Sequence, residues 1–369
     1  MLLADDLPGL KVTGVLRPGE VPGAADLMLT VEEKKWAAAI GGGNRATKFT
    51  GPWTAFADVA VNGALGLGEQ LGITVSGAPK GLEQLAGDVR WVQPLGDGLL
   101  LTTTANYGRG KPGAGLQAFA LKTSSTSVGQ SVSYPLIRSR RENLALEAGW
   151  TIQRSRIDLL GSQFSSDEWR TADLRLSYSD AGFLAGGTVM SVGVVKGFNI
   201  FGATDRRSTS SSRLGADPNF TKFVGDVQRL QPLGGGYLLV VSAGGQYSPR
   251  TLFAGEEFSL GGARFGRGYN PSDLSGSNGI GISAELRATY EIGLSYLESL
   301  GPYLFFDWGR VWASATADTF LKSAGGGVKF DFGSGKTLGL ELAQPLRNLP
   351  VVGAQDPSLR FYVDLGLAF

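Results

Sequence analysis

The chain has 369 residues, 34 basic and 33 acidic side chains for a net charge of +1, 56 glycines, 10% aromatic residues, and neither cysteine nor histidine. Those numbers exclude a disulfide scaffold, thiolate metal or redox chemistry, Ser-His-Asp and Cys-His catalysis, and a bulk electrostatic case for binding nucleic acid. Only 18% of residues are charged, mean hydropathy is +0.01, and no apolar run reaches about 18 residues, which removes membrane-spanning helices and fits a wall of half-apolar, half-polar strands.

Met1-Leu-Leu-Ala-Asp-Asp6 has no basic start, apolar core or small-residue cleavage site, so no export signal is visible and an exported protein would have its front end elsewhere. Over residues 1–33, Leu10, Val12 and Leu16, then Leu27, Leu29 and Val31 across a Gly/Pro-rich link, predict a small β-hairpin ending in Glu32-Glu-Lys-Lys35. From 34 to 369 the pattern is repeated alternation, about 16 strands of about 9–11 residues counted from Lys35. Tight turns at Leu65–Gln70, Pro94–Gly98, Pro232–Gly236 and Phe332–Lys336 alternate with longer polar loops, as turns on one rim and loops on the other would. Gly108-Arg-Gly-Lys-Pro-Gly113 has the form G-x-G-x-x-G, but it carries proline where a helix should begin and reads as a hairpin loop. Between Gly202 and Pro218, Asp205, Arg206, Arg207 and Arg213 read as a solvated loop, with contact to lipopolysaccharide phosphates as the alternative.

The segment from about 250 to 279 carries too much glycine and polar character for a strand. Its centre, Phe265-Gly266-Arg267-Gly268-Tyr269, sets an arginine between two glycines, which permits a tight, left-handed backbone projecting the guanidinium from a hairpin tip. Beyond it, Ile280, Ile282, Ala284, Leu286, Ala288, Tyr290 and Ile292 share one face, and Gly281, Ser283, Glu285, Arg287, Thr289 and Glu291 the other. Then Leu304, Phe306, Trp308 and Trp312 oppose Tyr303, Phe305, Asp307 and Gly309, with Arg310 out of pattern as a bulge or a membrane edge. Val328, Phe330 and Phe332 oppose Lys329 and Asp331, and Leu338, Leu340 and Leu342 oppose Gly339 and Glu341. The last strand sets Leu359, Phe361, Val363, Leu365, Leu367 and Phe369 against Arg360, Tyr362, Asp364, Gly366 and Ala368. An alternating strand that stops on an aromatic suits a barrel whose last strand pairs with its first and faces lipid.

On Phe-Gly-Arg-Gly-Tyr (265 to 269), Leu-Ser-Gly (274 to 276) and Leu304-Phe-Phe-Asp-Trp-Gly-Arg-Val311, the chain resembles the Omp85 superfamily, whose sixth extracellular loop folds back into the barrel. Within it the resemblance is to the two-partner-secretion transporters, the haemolysin secretion/activation proteins, over essentially the whole chain. Leu7-Pro-Gly9 and Leu16-Arg-Pro-Gly19 are similar to the end of their second POTRA domain. The implied fold is all-β: residues 1–33 as the last part of a periplasmic POTRA domain, then a 16-stranded antiparallel transmembrane barrel over 34–369, with loop 6 at about 250–279. The family's loop arginine binds an aspartate inside the lumen, which carries over to Arg267 and Asp307; the alternation independently puts Asp307 on the lumen side. Gly266 departs from the family, where many relatives have Val.

In a wet lumen such a contact is worth about 1 kcal/mol, enough to hold a loop yet let it rearrange. A surface arginine and a plain polar lumen residue are the alternative for this pair. Glu285 and Arg287 read as lumen lining, with membership of the Arg267 network as the alternative. Phe369 doubles as a lipid-facing ring and a C-terminal assembly signal. The resemblance implies a Gram-negative outer-membrane protein, N-terminus periplasmic, that is no enzyme, uses no metal or other cofactor, and moves a large unfolded partner exoprotein through its barrel. Its other expected partners are outer-membrane lipid, lipopolysaccharide and, during insertion, the barrel-assembly machinery; nucleic acid is not among them. The rival functions are an outer-membrane insertase of the same superfamily and a passive porin.

Overall fold

A computed structural model of the protein describes residues 6–18, 25–47, 49–78, 83–113, 115–313, 319–349 and 358–369. Residues 1–5, read as lacking an export signal, and Gly19 of the second POTRA-like segment lie outside the described residues. β1 (Leu10–Pro18) and β2 (Ala25–Glu33) form the antiparallel hairpin expected near the N-terminus. The wall starts with β3 (Trp36–Gly43), β4 (Thr54–Asn62), β5 (Gln70–Gly77), β6 (Gln84–Gly96), β7 (Leu99–Gly110) and β8 (Lys122–Arg138). It continues through β9 (Glu142–Leu159), β10 (Ser162–Asp180), β11 (Gly187–Phe198), β12 (Thr221–Gly234) and β13 (Tyr237–Tyr247). After a short hairpin of β14 (Phe258–Leu260) and β15 (Leu274–Gly276) come β16 (Asn278–Ala288), β17 (Tyr290–Leu294), β18 (Leu297–Trp312), β19 (Thr319–Asp331), β20 (Lys336–Pro345) and β21 (Arg360–Ala368).

β16 and β17 are one wall strand interrupted at Thr289, because both pair with β18 in the same register. Counted so, 16 antiparallel strands close on themselves, β21 pairing with β3. Closure leaves no strand edge to solvate, the condition for spanning lipid with strands. Large apolar side chains point outward along the wall, among them Ile40, Val59, Ile73, Val128, Ile152, Leu174, Val192, Ile282, Phe306 and Leu365. Trp36, Tyr134, Tyr237 and Tyr290 lie toward one rim and Trp53, Tyr107, Phe223 and Tyr247 toward the other, as aromatic girdles at two interfaces do. No helix among the described residues is long and apolar enough to cross a membrane.

The strands are less uniform than expected, from 8 residues in β3 to 19 in β10. β9 and β10 continue past the long-loop rim and are joined through Leu160 and Gly161, both at positive φ, so a tight turn stands on the side where a long loop is expected. Arg310 is not at a bulge: β18 keeps an unbroken register with β19 from Ser299 to Val311, and the side chain points outward near the long-loop rim. Loop 6 is not wholly irregular, since β14 and β15 pair inside it. The Gly108–Gly113 segment is not all loop, since Gly108, Arg109 and Gly110 are the last residues of β7 and only 111–113 follow as loop.

Candidate functional site: the loop 6 tip inside the barrel

The site is built from the fold-back of loop 6 and the lumen faces of β16, β18, β20 and β21. Gly261, Gly262 and Gly266 adopt positive φ, and the Tyr269 N–H donates to Gly266 O at 2.9 Å, so the chain reverses around Arg267. Gly266 has φ +102°, and a Cβ there would come 2.7 Å from Leu321 Cδ1. A glycine is therefore built into this tip. Gly268 packs against the wall backbone, where a Cβ would stand 2.6 Å from Pro345 N. Around the tip, Leu260, Phe265, Tyr269, Leu274, Val311, Leu321 and Leu349 form one apolar cluster joining loop 6 to β18 and β19. Each such side chain adds about 1.5–3 kcal/mol when fully buried.

Arg267 reaches the carboxylate of Asp307 through Nε to Oδ2 at 3.1 Å and Nη2 to Oδ1 at 3.0 Å, the two-pronged geometry a guanidinium and a carboxylate share. Its backbone N–H adds a third bond to Oδ2 at 2.9 Å. Nη1 donates to Glu285 Oε2 at 2.5 Å and Nη2 to Ser283 Oγ at 3.1 Å, while the guanidinium lies 3.5 Å from the centre of the Phe305 ring. Tyr362 donates its hydroxyl to Arg267 O at 3.0 Å. Asp307 also accepts from Ser283 Oγ at 2.8 Å and Ser323 Oγ at 3.3 Å. Glu285 is thus in direct contact with Arg267, and Arg287 donates to Glu285 Oε1 at 2.5 Å, a closer association than lumen lining alone.

Asp307 has no exposed surface and Arg267 is 7% exposed, so the pair is almost wholly buried. That changes its energetics: removing one partner of a buried, fully bonded ion pair typically costs about 3–5 kcal/mol, because the other charge is left stranded. The tip stands between two cavities of about 590 and 850 Å³, both lined by Ala263, Arg267, Glu285 and Arg287. Tyr269 holds the loop's return with its hydroxyl 2.8 Å from Arg347 O, and Arg360 Nη1 donates to Asn270 Oδ1 at 2.8 Å. Asp273 accepts from Asn270 N at 2.8 Å, and burial pushes its carboxyl above the usual range against that bond.

Several contributors escape motif reading. Arg45, just past β3, donates to Asp364 Oδ2 through Nε at 2.9 Å and Nη2 at 2.8 Å, and to Glu341 Oε1 through Nη1 at 2.8 Å. Glu341 Oε2 also accepts from Tyr303 at 2.8 Å and lies 3.7 Å from Arg267 Nη1. Strand parity puts Tyr303, Glu341, Tyr362 and Asp364 on the lumen side, yet pairing Arg45 with residues some 300 positions away needs the closure register. Arg213, expected in a solvated loop, instead turns in to form an ion pair with Glu257, while Arg206 stays largely exposed 4.0 Å from Asp217. Phe369 lies on the seam, its N–H donating to Ala38 O at 2.8 Å with the ring exposed. Among the described residues no cluster of acidic side chains is arranged to hold a metal ion.

The sequence pattern of the family described as "Haemolysin secretion/activation protein ShlB/FhaC/HecB" matches residues 23–331. The heme/hemopexin transporter protein HuxB of Haemophilus influenzae strain 86-028NP is 22% identical over 362 residues, covering 94% of this chain and 63% of HuxB. HuxB of H. influenzae strain Rd is 21% identical with the same coverage. The chain thus spans about 63% of the length of these relatives. Among solved structures, CdiB from Escherichia coli matches with a TM-score of 0.85 at 20% identity over 100% of this chain and 69% of that one. BamA from Haemophilus ducreyi lacking POTRA domains 1–3 matches with a TM-score of 0.62 at 15% identity, covering 97% and 75%. At these identities the structural matches speak for the fold alone.

Proposed function

Because the chain belongs to the haemolysin secretion/activation protein family, two-partner-secretion transporters of the Omp85 superfamily, we propose that its barrel carries a large, unfolded partner exoprotein across the outer membrane. Loop 6 occupies the lumen at rest, anchored by Arg267 on Asp307, and shifts to let the chain pass. The observation that carries this reading is the buried, multiply bonded Arg267 standing between two lumen cavities: a passive pore for small solutes has no use for a buried ion pair in its path. Residues 1–33, in this reading, end a periplasmic POTRA domain that catches the exoprotein by adding it as a strand to a sheet edge. In this reading, folding of the exoprotein outside supplies the direction.

Arg267→Ala in the complete protein tests the reading. Secretion of the exoprotein into the medium is expected to fall about tenfold or more while folded barrel in the outer membrane stays detectable. Undiminished secretion would sink it.

A further inference from the structure

The wall closes through its weakest ladder. β21 and β3 are paired over five residues, Asp364↔Gly43 to Ala368↔Ala39, with flanking backbone bonds at Asn44–Val363 and Ala38–Phe369, where β9 and β10 share a ladder from Asp180↔Glu142 to Ser162↔Leu159. Three of the five β3 residues, Gly41, Gly42 and Gly43, bring no side chain to cross-strand packing, the main source of sheet stability. β21 also outruns β3, leaving Phe361 beyond the end of the partner strand and Val363 with one backbone bond, its carbonyl accepting from Asn44 N at 3.3 Å.

Two side chains fill that gap. Asn44 donates Nδ2 to Phe361 O at 3.0 Å and accepts at Oδ1 from Val363 N at 2.8 Å, so one amide stands where a strand residue would. Next to it, Arg45 grips Asp364 with two nitrogens, reaches Glu341 on β20, and lies 4.6 Å over the Tyr362 ring. Arg45 is thus bonded to both of the last two strands while standing just past the end of the first.

We propose that Asn44 and Arg45 are a clasp that keeps the barrel seam shut while loop 6 moves. The arrangement of charge gives the direction. Glu341 is shared, 2.8 Å from Arg45 and 3.7 Å from Arg267. When Arg267 withdraws, Glu341 loses its more distant cation and keeps the nearer one, so departure of the loop strengthens the grip of Arg45 on β20. The exoprotein then passes along the lumen and not sideways through the wall. This rests on the transport reading above.

The chain has no cysteine, so the seam can be stapled cleanly. Ala38 and Phe369 exchange both backbone bonds across the seam, which makes Ala39 and Ala368 the adjacent non-hydrogen-bonded pair, with closer side chains. In the complete protein reconstituted in lipid, Asn44→Ala/Arg45→Ala is expected to speed amide hydrogen exchange about tenfold or more at 39–43 and 364–368, with no such change at β9 and β10. Arg267→Ala should leave seam exchange at or below the unmodified rate. Ala39→Cys/Ala368→Cys, oxidised, should secrete normally and return the double variant's seam exchange to the original rate, the rescue being lost on adding reductant. Unchanged seam exchange in the double variant overturns the clasp, and so does a block of secretion by the oxidised staple. Absence of secretion from the unmodified protein would count against the transport reading instead, since the exchange measurements need no exoprotein.

Discussion

At the scale of single residues, Asp307 carries the most. It has no exposed surface and accepts from Arg267, Ser283 and Ser323. Asp307→Asn preserves shape but removes the charge and turns one oxygen into a donor facing other donors. Loop 6 should then become cleavable by added protease in intact outer membranes, at a local cost of about 3–5 kcal/mol. Because Arg267 and Asp307 act as a unit, Arg267→Ala/Asp307→Ala should lose much less than the two single losses summed; additive losses in the same assay would argue against direct coupling. Gly266→Val is expected to dislodge the tip, since φ +102° and the nearness of Leu321 leave no place for a branched side chain. The motif and strand parity made Arg267 and Asp307 legible in the sequence, and burial was not. Parity sorts residues into lumen and lipid faces but does not say that Phe305, Tyr362 and the loop itself close over the pair, which moves it out of the wet regime worth about 1 kcal/mol.

Among the elements, loop 6 is a packed unit joined to the wall by apolar contact as well as charge. Phe265 and Tyr269 are buried against Val311, Leu321 and Leu349. Phe265→Ala should cost about 3–5 kcal/mol locally, seen as a loop 6 that exchanges hydrogen faster while Arg267 and Asp307 are intact; unchanged exchange would assign the anchoring to charge alone. The β14–β15 hairpin inside the loop was hidden because three-residue strands fall below the length at which alternation can be read. The extended β9–β10 hairpin was hidden for another reason. Beyond Leu176 and Leu174 the outward positions of β10 turn polar, at Arg170, Glu168 and Ser166, and the register slips between Gln163 and Ser165, so the apolar-polar alternation that signals a strand fades where the strand leaves the membrane. There Trp169 Nε1 donates to Glu256 Oε1 at 2.6 Å, and the Trp169 ring stacks on Phe253, tying β10 to the start of loop 6.

For the whole molecule, recurring alternation with few charged residues and no long apolar run pointed to the barrel, and closure could be inferred from a last strand that ends on Phe369. The register of closure could not. It pairs residues more than 300 positions apart, and a glycine-rich first strand offers no side-chain pattern to align. That register brings Arg45 to Asp364 and Glu341 and ties the seam to the loop 6 site. Phe369 closes the same seam with its backbone while its ring faces outward, in line with its proposed second role as an assembly signal. Removing Phe369 should lower the amount of folded barrel recovered from outer membranes, and replacing it with Trp should largely restore it; equal recovery after deletion would leave it only a lipid-facing ring.

The central claim is that loop 6 must move out of its lumen seat for the exoprotein to pass. A Cβ at position 281 would stand 3.0 Å from Phe265 Cβ, within a few tenths of an ångström of the ~3.5–4.5 Å that a disulfide spans. The direct measurement is secretion by Phe265→Cys/Gly281→Cys, loop 6 stapled to β16, assayed with and without reductant. Secretion should stop in the oxidised protein and return on reduction. Equal secretion with the staple closed would mean that the loop keeps its seat throughout transport, contradicting the account.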